Sequence, residues 1–362
     1  MSAPQTSPAP LLSASPRPSD HRGLEIALAL LLAVSIAGIF WTGQRYPALL
    51  KKLHAGQSLK VGGAISFDAL LPVVPTMSLT ERVGRTSVNW LWTNRFGMYF
   101  ALPFGAALMT FMARTLRPKR FEHSAANVLC GAVAGAPMGV CTNCATPIGQ
   151  SLLVSGASTR MTVAGMISSP SFNPVVLAMA FLLFPWPMAA ARVLVPLLLL
   201  LALPWLVNET KPKIKTANIP DWNVKSRTPL SSVAASFLRN LLRLTLLTLP
   251  WMLLAAVLGA LAAELIPAYG THLPVSMLGV VAVAALGTLL PVPMALDVGL
   301  AWVLYRAGTP APYVAALLCT LGPISIYSLT GLGQQLGFRT SFRLAATVAL
   351  LGSVAGLIFM LH

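Results

Sequence analysis

The sequence predicts an all-α, polytopic integral membrane protein: two inverted repeats, each with a broken (re-entrant) hairpin, plus one N-terminal span. Three observations lead there. Of 362 residues, 56% are hydrophobic and only 9% charged, with a mean hydropathy of +0.74, whereas a soluble chain carries roughly 25% charged residues. Apolar runs of about 20 residues, the length that crosses the hydrocarbon core as a helix, recur along the chain. The alternating, turn-rich pattern of an outer-membrane barrel is absent.

Residues 1–22 are rich in Pro and Ser and lack apolar periodicity, which predicts a disordered cytoplasmic tail. Residues 23–41 predict an N-terminal transmembrane helix. The run Leu24–Trp41 lacks a clear A-x-A cleavage site and follows a long tail, so it reads as an uncleaved span. Residues 42–95 mix Lys51, Lys52, Lys60, Asp68, Glu81 and Arg82 with prolines and contain no run long enough to cross. Coming after one crossing, they predict an extracytoplasmic segment. Its basic excess opposes that placement, but long segments translocate largely regardless of charge.

The first repeat, 96–207, contains four apolar elements at 96–113, 124–155, 161–184 and 188–207. A basic linker, 208–236, follows and is expected in the cytoplasm. The second repeat, 237–362, has elements at 237–262, 274–306, 311–334 and 341–361. The second element of each set is long and carries proline near its middle: Pro147 in one, Pro291 and Pro293 in the other. A shift of 152 positions places Gly156 on Gly308, Cys141 on Pro293 and Asn173 on Ser325, with Ser169-Pro170 one residue out of step with Gly322-Pro323. Weak internal symmetry of this kind is typical of transporters. The bland alternative is that membrane helices of similar composition look alike.

Charge and parity set the expected topology. Arg114, Arg117, Lys119 and Arg120 form one basic cluster; Lys211, Lys213, Lys215, Lys225 and Arg227 form another. Both are expected inside, so an even number of crossings separates them. If 161–184 and 188–207 each cross once, 124–155 enters and leaves on one side. Its two arms of about 15 residues are short of a full span, so a re-entrant hairpin fits, although two tilted short spans satisfy the same parity. Three crossings plus a hairpin invert the second repeat. The stretch with Glu264, Pro267 and His272 lacks Lys and Arg, as expected outside, and Arg339 and Arg343 are expected inside. The predicted location is a bacterial inner membrane, with the N-terminus cytoplasmic and the lipid bilayer as the main partner. The net charge of +16 does not indicate nucleic acid, because the basic residues concentrate in short loops beside apolar runs.

The chemistry centres on Cys141-Thr-Asn-Cys144-Ala-Thr-Pro147. Two thiols at this spacing can converge on one soft ion, and sulfur prefers polarisable partners such as trivalent arsenic or antimony. A structural zinc site needs two further ligands, and no second Cys-x-x-Cys or His pair exists, so no metal is expected. A thioredoxin-like role needs a soluble βαβ context. The alternative is that both cysteines are small packing residues. Asp297 is the acid set deepest in an apolar element of the second half. At bilayer centre it costs roughly 2.5–3.5 kcal/mol and therefore faces a cavity or a partner. The 152-residue shift aligns it with Ala145, beside Cys144. It could take up a proton in an exchange cycle, or form an ion pair with Arg306 or Arg160. Asn143, Thr146, Gln150, Asn173 and Ser325 could line a passage or satisfy freed backbone groups; Pro170 and Pro174 bracket Asn173. Gly131, Gly135 and Gly139 read as a close-packing helix face. No Walker motif, catalytic triad or paired carboxylates occur, so neither an enzyme nor a cofactor is expected.

The run Cys141 through Gly156 to Ser158, followed by Ser169-Pro170-Ser171-Phe172-Asn173-Pro174, resembles the first signature of the ArsP-type predicted permeases. Leu290-Pro291-Val292-Pro293, through Gly308 to Gly322-Pro323, resembles that family's degenerate second signature. The resemblance covers about residues 96–361. It implies a secondary permease with a small-molecule substrate, exporting trivalent organoarsenicals across the inner membrane. Cys141 and Cys144 would then be the substrate-facing thiols, with Asn143, Thr146, Pro147 and Asn173 beside them. This chain departs from the family in the two residues between its cysteines, in an extra N-terminal span and in the segment 42–95. The alternatives are a permease for another small solute or anion with structural cysteines, and a membrane scaffold that transports nothing.

Overall fold

The computed structural model describes residues 22–55, 70–74, 76–115, 124–209, 228–270, 274–292, 296–306 and 308–361. The N-terminal tail, most of both basic clusters, Pro293 and His272 lie outside them. Among the described residues every regular element is helical. By length and apolarity five helices can cross a membrane, or six if one bent pair counts as a single span, so the chain is a multi-pass membrane protein.

The N-terminal span is α1 (Arg22–Phe40), which runs through a π-helical turn, Trp41–Arg45, into α2 (Tyr46–Ala55). In that turn Tyr46 N–H reaches back five residues to Trp41 O. Next comes α3 (Leu79–Thr115), which starts well before the expected position 96. Its first turns are polar and escape a search for apolar runs, but the sequence carries their start signal. Ser78 Oγ accepts Glu81 N–H at 3.3 Å, an N-cap, and Glu81 pairs with Arg85 one turn on at 2.9 Å.

The element 124–155 resolves into α4 (Ser124–Gly135), a 3-10 turn and α5 (Thr142–Val154). The expected break at Pro147 is not there. The chain turns at Gly139, whose φ of 58° is left-handed, while Pro147 lies inside α5. A proline six residues into a helix forfeits one backbone bond, here to Asn143 O, and the packed surroundings hold the helix together. Glycine is what a left-handed turn requires. On α4, Gly131 and Gly135 do pack closely, since a Cβ on either would strike backbone of Met161 or Gly165. Those two residues belong to α6 (Thr159–Ser171), which is followed by α7 (Pro174–Leu183) at a bend of 43°. The first half closes with α8 (Trp186–Leu206).

The second half repeats these intervals. It contains α9 (Pro229–Gly270), α10 (Met277–Leu289), α11 (Leu296–Arg306), α12 (Ala311–Thr320), α13 (Ile326–Leu336) and α14 (Phe338–Ile358). The expected interruption near Pro291 falls between α10 and α11. Adding 152 to the first residues of α6, α7 and α8 gives the first residues of α12, α13 and α14. The turns after α5 and α11 share their geometry. Gly156 (φ 89°) and Gly308 (φ 87°) both have positive φ. Their N–H groups donate to Leu153 O and Tyr305 O, and those of Ala157 and Thr309 donate to Leu152 O and Leu304 O.

The largest core cluster surrounds α5 and draws Met98, Val163, Leu199, Met252, Tyr327 and Leu344 from six other helices. Every residue of α5 from Thr142 to Ser151 is buried. Large apolar side chains such as Leu31, Trp205 and Leu278 face outward, as a lipid-facing surface requires.

Candidate substrate site at the helix breaks

The helix breaks bring polar groups together at the centre of the molecule. Cys141 is the N-cap of α5, and its Sγ accepts Cys144 N–H at 3.2 Å. A sulfur thus does the job usually given to the oxygen of Ser, Thr or Asp. Cys141 Sγ lies 3.9 Å from Asn94 Oδ1 of α3. Cys144 Sγ rests on Gly97, where any Cβ would displace it. Both cysteines are buried free thiols.

Asn173 is the N-cap of α7. Its Oδ1 accepts Val175 N–H at 3.0 Å, and its Nδ2 donates to Gly139 O at 2.9 Å, tying the α6–α7 break to the turn before α5. Pro174 sits at the first helical position, where its missing N–H costs nothing. Val140 N–H donates to Ser169 Oγ at 3.2 Å. Ser325 caps α13 in a reciprocal capping box with Ser328. Its hydroxyl also donates to Asn143 Oδ1 at 3.2 Å, and Thr142 Oγ1 donates to Gly322 O at 2.5 Å. The N-termini of α5, α7 and α13 are therefore joined through these hydrogen bonds, and each presents the positive end of its helix dipole.

Asp297 lies in the first turn of α11 and is 5% exposed. Its Oδ2 accepts from Arg192 Nη2 at 2.7 Å. This partner is neither Arg306 nor Arg160. Arg192 belongs to α8 and is fully buried. Asp297 Oδ1, Arg192 Nε, Arg192 Nη1 and Asn143 Nδ2 have no hydrogen-bond partner. A small pocket lies between Cys141, Thr142, Pro170, Val176, Val292, Asp297, Leu321 and Gly322. It has room for about one water.

Of the candidate binding and coupling residues, Cys141 and Asp297 line this pocket, and Cys144, Asn143 and Asn173 do not. Thr146 bonds to Thr142 O and its methyl faces Gly331. The backbone carbonyl of Pro147 lies against Gly105 of α3, and Pro147 does not line the pocket. Two residues escaped the sequence reading. Arg192 is a charge inside an apolar span, which is itself a functional signal. Arg45 is 9% exposed, yet it follows the first apolar run and reads as the start of a polar segment. Among the described residues no group of three or more His, Cys, Asp or Glu could hold a metal ion.

A multi-pass protein whose broken helices meet around a buried thiol and an ion pair belongs to the transporter class. The chain is a member of the ArsP_1 predicted permease family, whose model matches residues 98–361. It is similar to the UPF0718 protein YraQ of Escherichia coli (strain K12), at 27% identity over 251 residues, 68% of this chain and 70% of that protein. No solved structure matches it. The family points to transport rather than to an enzyme. The helices α1 and α2 and the first half of α3 lie outside the matched stretch.

Proposed function

We propose that the chain is an inner-membrane secondary permease that exports a thiol-reactive solute, trivalent organoarsenicals being the class that suits its donors. The observation that carries this reading is the pocket shared by Cys141 and Asp297, a soft nucleophile and a titratable acid at the meeting point of the helix breaks. A thiol of Cys141 or Cys144 displaces hydroxide from R–As(OH)2. One As–S bond forms, one As–O bond breaks, and water leaves with the thiol proton. Asn143, Thr146, Pro147 and Asn173 shape the surroundings. Protonation of Asp297 releases Arg192, and the freed charge couples the pocket to a proton gradient. The two halves act as inverted repeats whose hairpins enter from opposite faces, with residues 1–22 and 208–236 in the cytoplasm and 42–95 outside. The matched helix starts and glycine turns support that symmetry.

The test is tolerance of an arsenical-sensitive bacterial host to phenylarsine oxide. Cys141→Ser and Cys144→Ser should each abolish the tolerance conferred by the wild-type chain at equal membrane abundance. Unchanged tolerance in both overturns thiol ligation. Asp297→Asn should retain substrate binding but make flux in everted vesicles indifferent to the pH gradient. A second reading, a permease for a small anion with structural cysteines, is favoured by the capping role of Cys141 and the packing of Cys144 on Gly97. Retained transport of an anion in both serine variants would select it.

A further inference from the structure

Arg45 is a buried cation that the family-matched stretch does not contain. The π turn Trp41–Arg45 delivers it to the core, and such turns are frequent at functional sites. Its guanidinium carbon lies 4.5 Å above the Phe40 ring, and that ring stacks on Phe100 at 3.9 Å. Its Nε has no hydrogen-bond partner. The four acids whose side chains are described are all engaged elsewhere. Glu25 pairs with Arg114, Glu81 with Arg85 and Asp297 with Arg192. Glu209 accepts from Ser158 and from Thr159 N–H at the start of α6.

The surroundings of Arg45 add positive potential. A Cβ placed on Gly139 would sit 3.7 Å from Arg45 Cδ, 3.8 Å from Arg45 Nε and 3.8 Å from Asn173 Nδ2. The absent side chain therefore leaves a methyl-sized niche beside Arg45 Nε and the Asn173 amide, one hydrogen of which is already donated to Gly139 O. The niche adjoins the N-termini of α5 and α7, both of ten residues or more, whose dipoles favour negative charge. A buried cation at two positive helix ends calls for a counter-charge, and a fork of N–H donors suits a planar or tetrahedral oxyanion.

We infer that Arg45, Asn173 and the N-termini of α5 and α7 form a subsite for a small monoanionic group, a carboxylate or sulfonate, on the solute that this protein carries. The inference rests on the permease reading and deepens it: among the solutes carried, those that present a negative group to Arg45 are bound best. In this arrangement the N-terminal span completes the binding site as well as anchoring the chain.

The test is thermal unfolding of the full-length protein in lipid nanodiscs at constant sodium. Methanesulfonate and benzoate are compared with the uncharged methanesulfonamide and benzamide. The anions should raise the midpoint saturably by a few degrees and the amides should not, because only a ligand of the folded state shifts unfolding. Arg45→Gln should weaken the anion effect at least tenfold in concentration, and Arg45→Lys should retain part of it. Equal shifts by anions and amides, an undiminished anion shift in Arg45→Gln, or no shift in the wild type each overturn the inference. If Arg45→Gln does not fold, the wild-type comparison and Arg45→Lys decide. The thiol reading fails separately, through the cysteine variants and phenylarsine oxide.

Discussion

The break before α5 and the break before α11 occupy matched places in the chain and are stabilised by different chemistry. At the first, uncharged groups are linked by hydrogen bonds: Asn173 to Gly139, Val140 to Ser169, Thr142 to Gly322 and Asn143 to Ser325. At the second, a carboxylate is held by an arginine from the other half of the chain, 105 residues away, and Trp90 Nε1 donates to Pro291 O at 3.0 Å. A break of neutral groups can be satisfied by its neighbours, each bond contributing about 1 kcal/mol. A break that carries a charge needs an opposite charge from another span, because an ion inside the membrane has no water to turn to. The same interruption thus yields a hydrogen-bonded break with the Arg45 cation beside Gly139 in one half and a paired Arg192–Asp297 in the other.

That contrast can be broken most sharply at the ion pair. Arg192→Ala leaves Asp297 buried and unpaired and should destabilise the protein by about 3–5 kcal/mol, read as a lowered unfolding midpoint in detergent. The double variant Arg192→Leu/Asp297→Leu should recover most of that stability and none of the transport. If it recovers neither, packing and not charge holds this break.

At the hydrogen-bonded break the losses should be smaller. Asn173→Ala removes a cap and the link to Gly139 together, for about 1–2 kcal/mol. Ser325→Ala, at the matched position, should cost somewhat less, because Ser328 can still bond to its backbone. Equal losses would mean that the Asn173–Gly139 bond contributes no more than the Ser325–Asn143 bond. The smallest effect concerns the turns. Gly156→Ala and Gly308→Ala should each cost about 1 kcal/mol for forcing a Cβ into positive φ, since neither site has an atom within 4 Å of the added carbon. Unequal costs, measured by chemical unfolding, would separate two turns that otherwise look the same.

What was legible in the sequence follows from the range of each interaction. The interruptions near Pro291 and around Asn173 are local, with proline supplying the signal, and the structure has them there. Pro147 misled because proline is only one way to end a helix: the turn belongs to Gly139, and glycine's permissiveness leaves no mark until the backbone is seen. The early start of α3 was hidden by polar residues on a helix that is apolar further along. The partner of Asp297 was beyond a sequence reading because attraction between α8 and α11 follows no periodicity. Arg45 was missed for a related reason, since a polar residue after an apolar run looks like the end of a span.

The π turn at Trp41–Arg45 makes the N-terminal helix sensitive to length in a way that composition cannot report. An α-helix advances about 100° per residue, and this turn holds one residue more than the regular winding would. A turn that already holds the extra residue can lose one and return to ordinary winding with its flanks nearly in register. An inserted residue has no such slack and would turn Phe40 and Arg45 by about 100° against each other. Tolerance there should therefore differ by type of lesion: replacement or excision at Thr42 or Gly43 should be milder than an in-frame insertion.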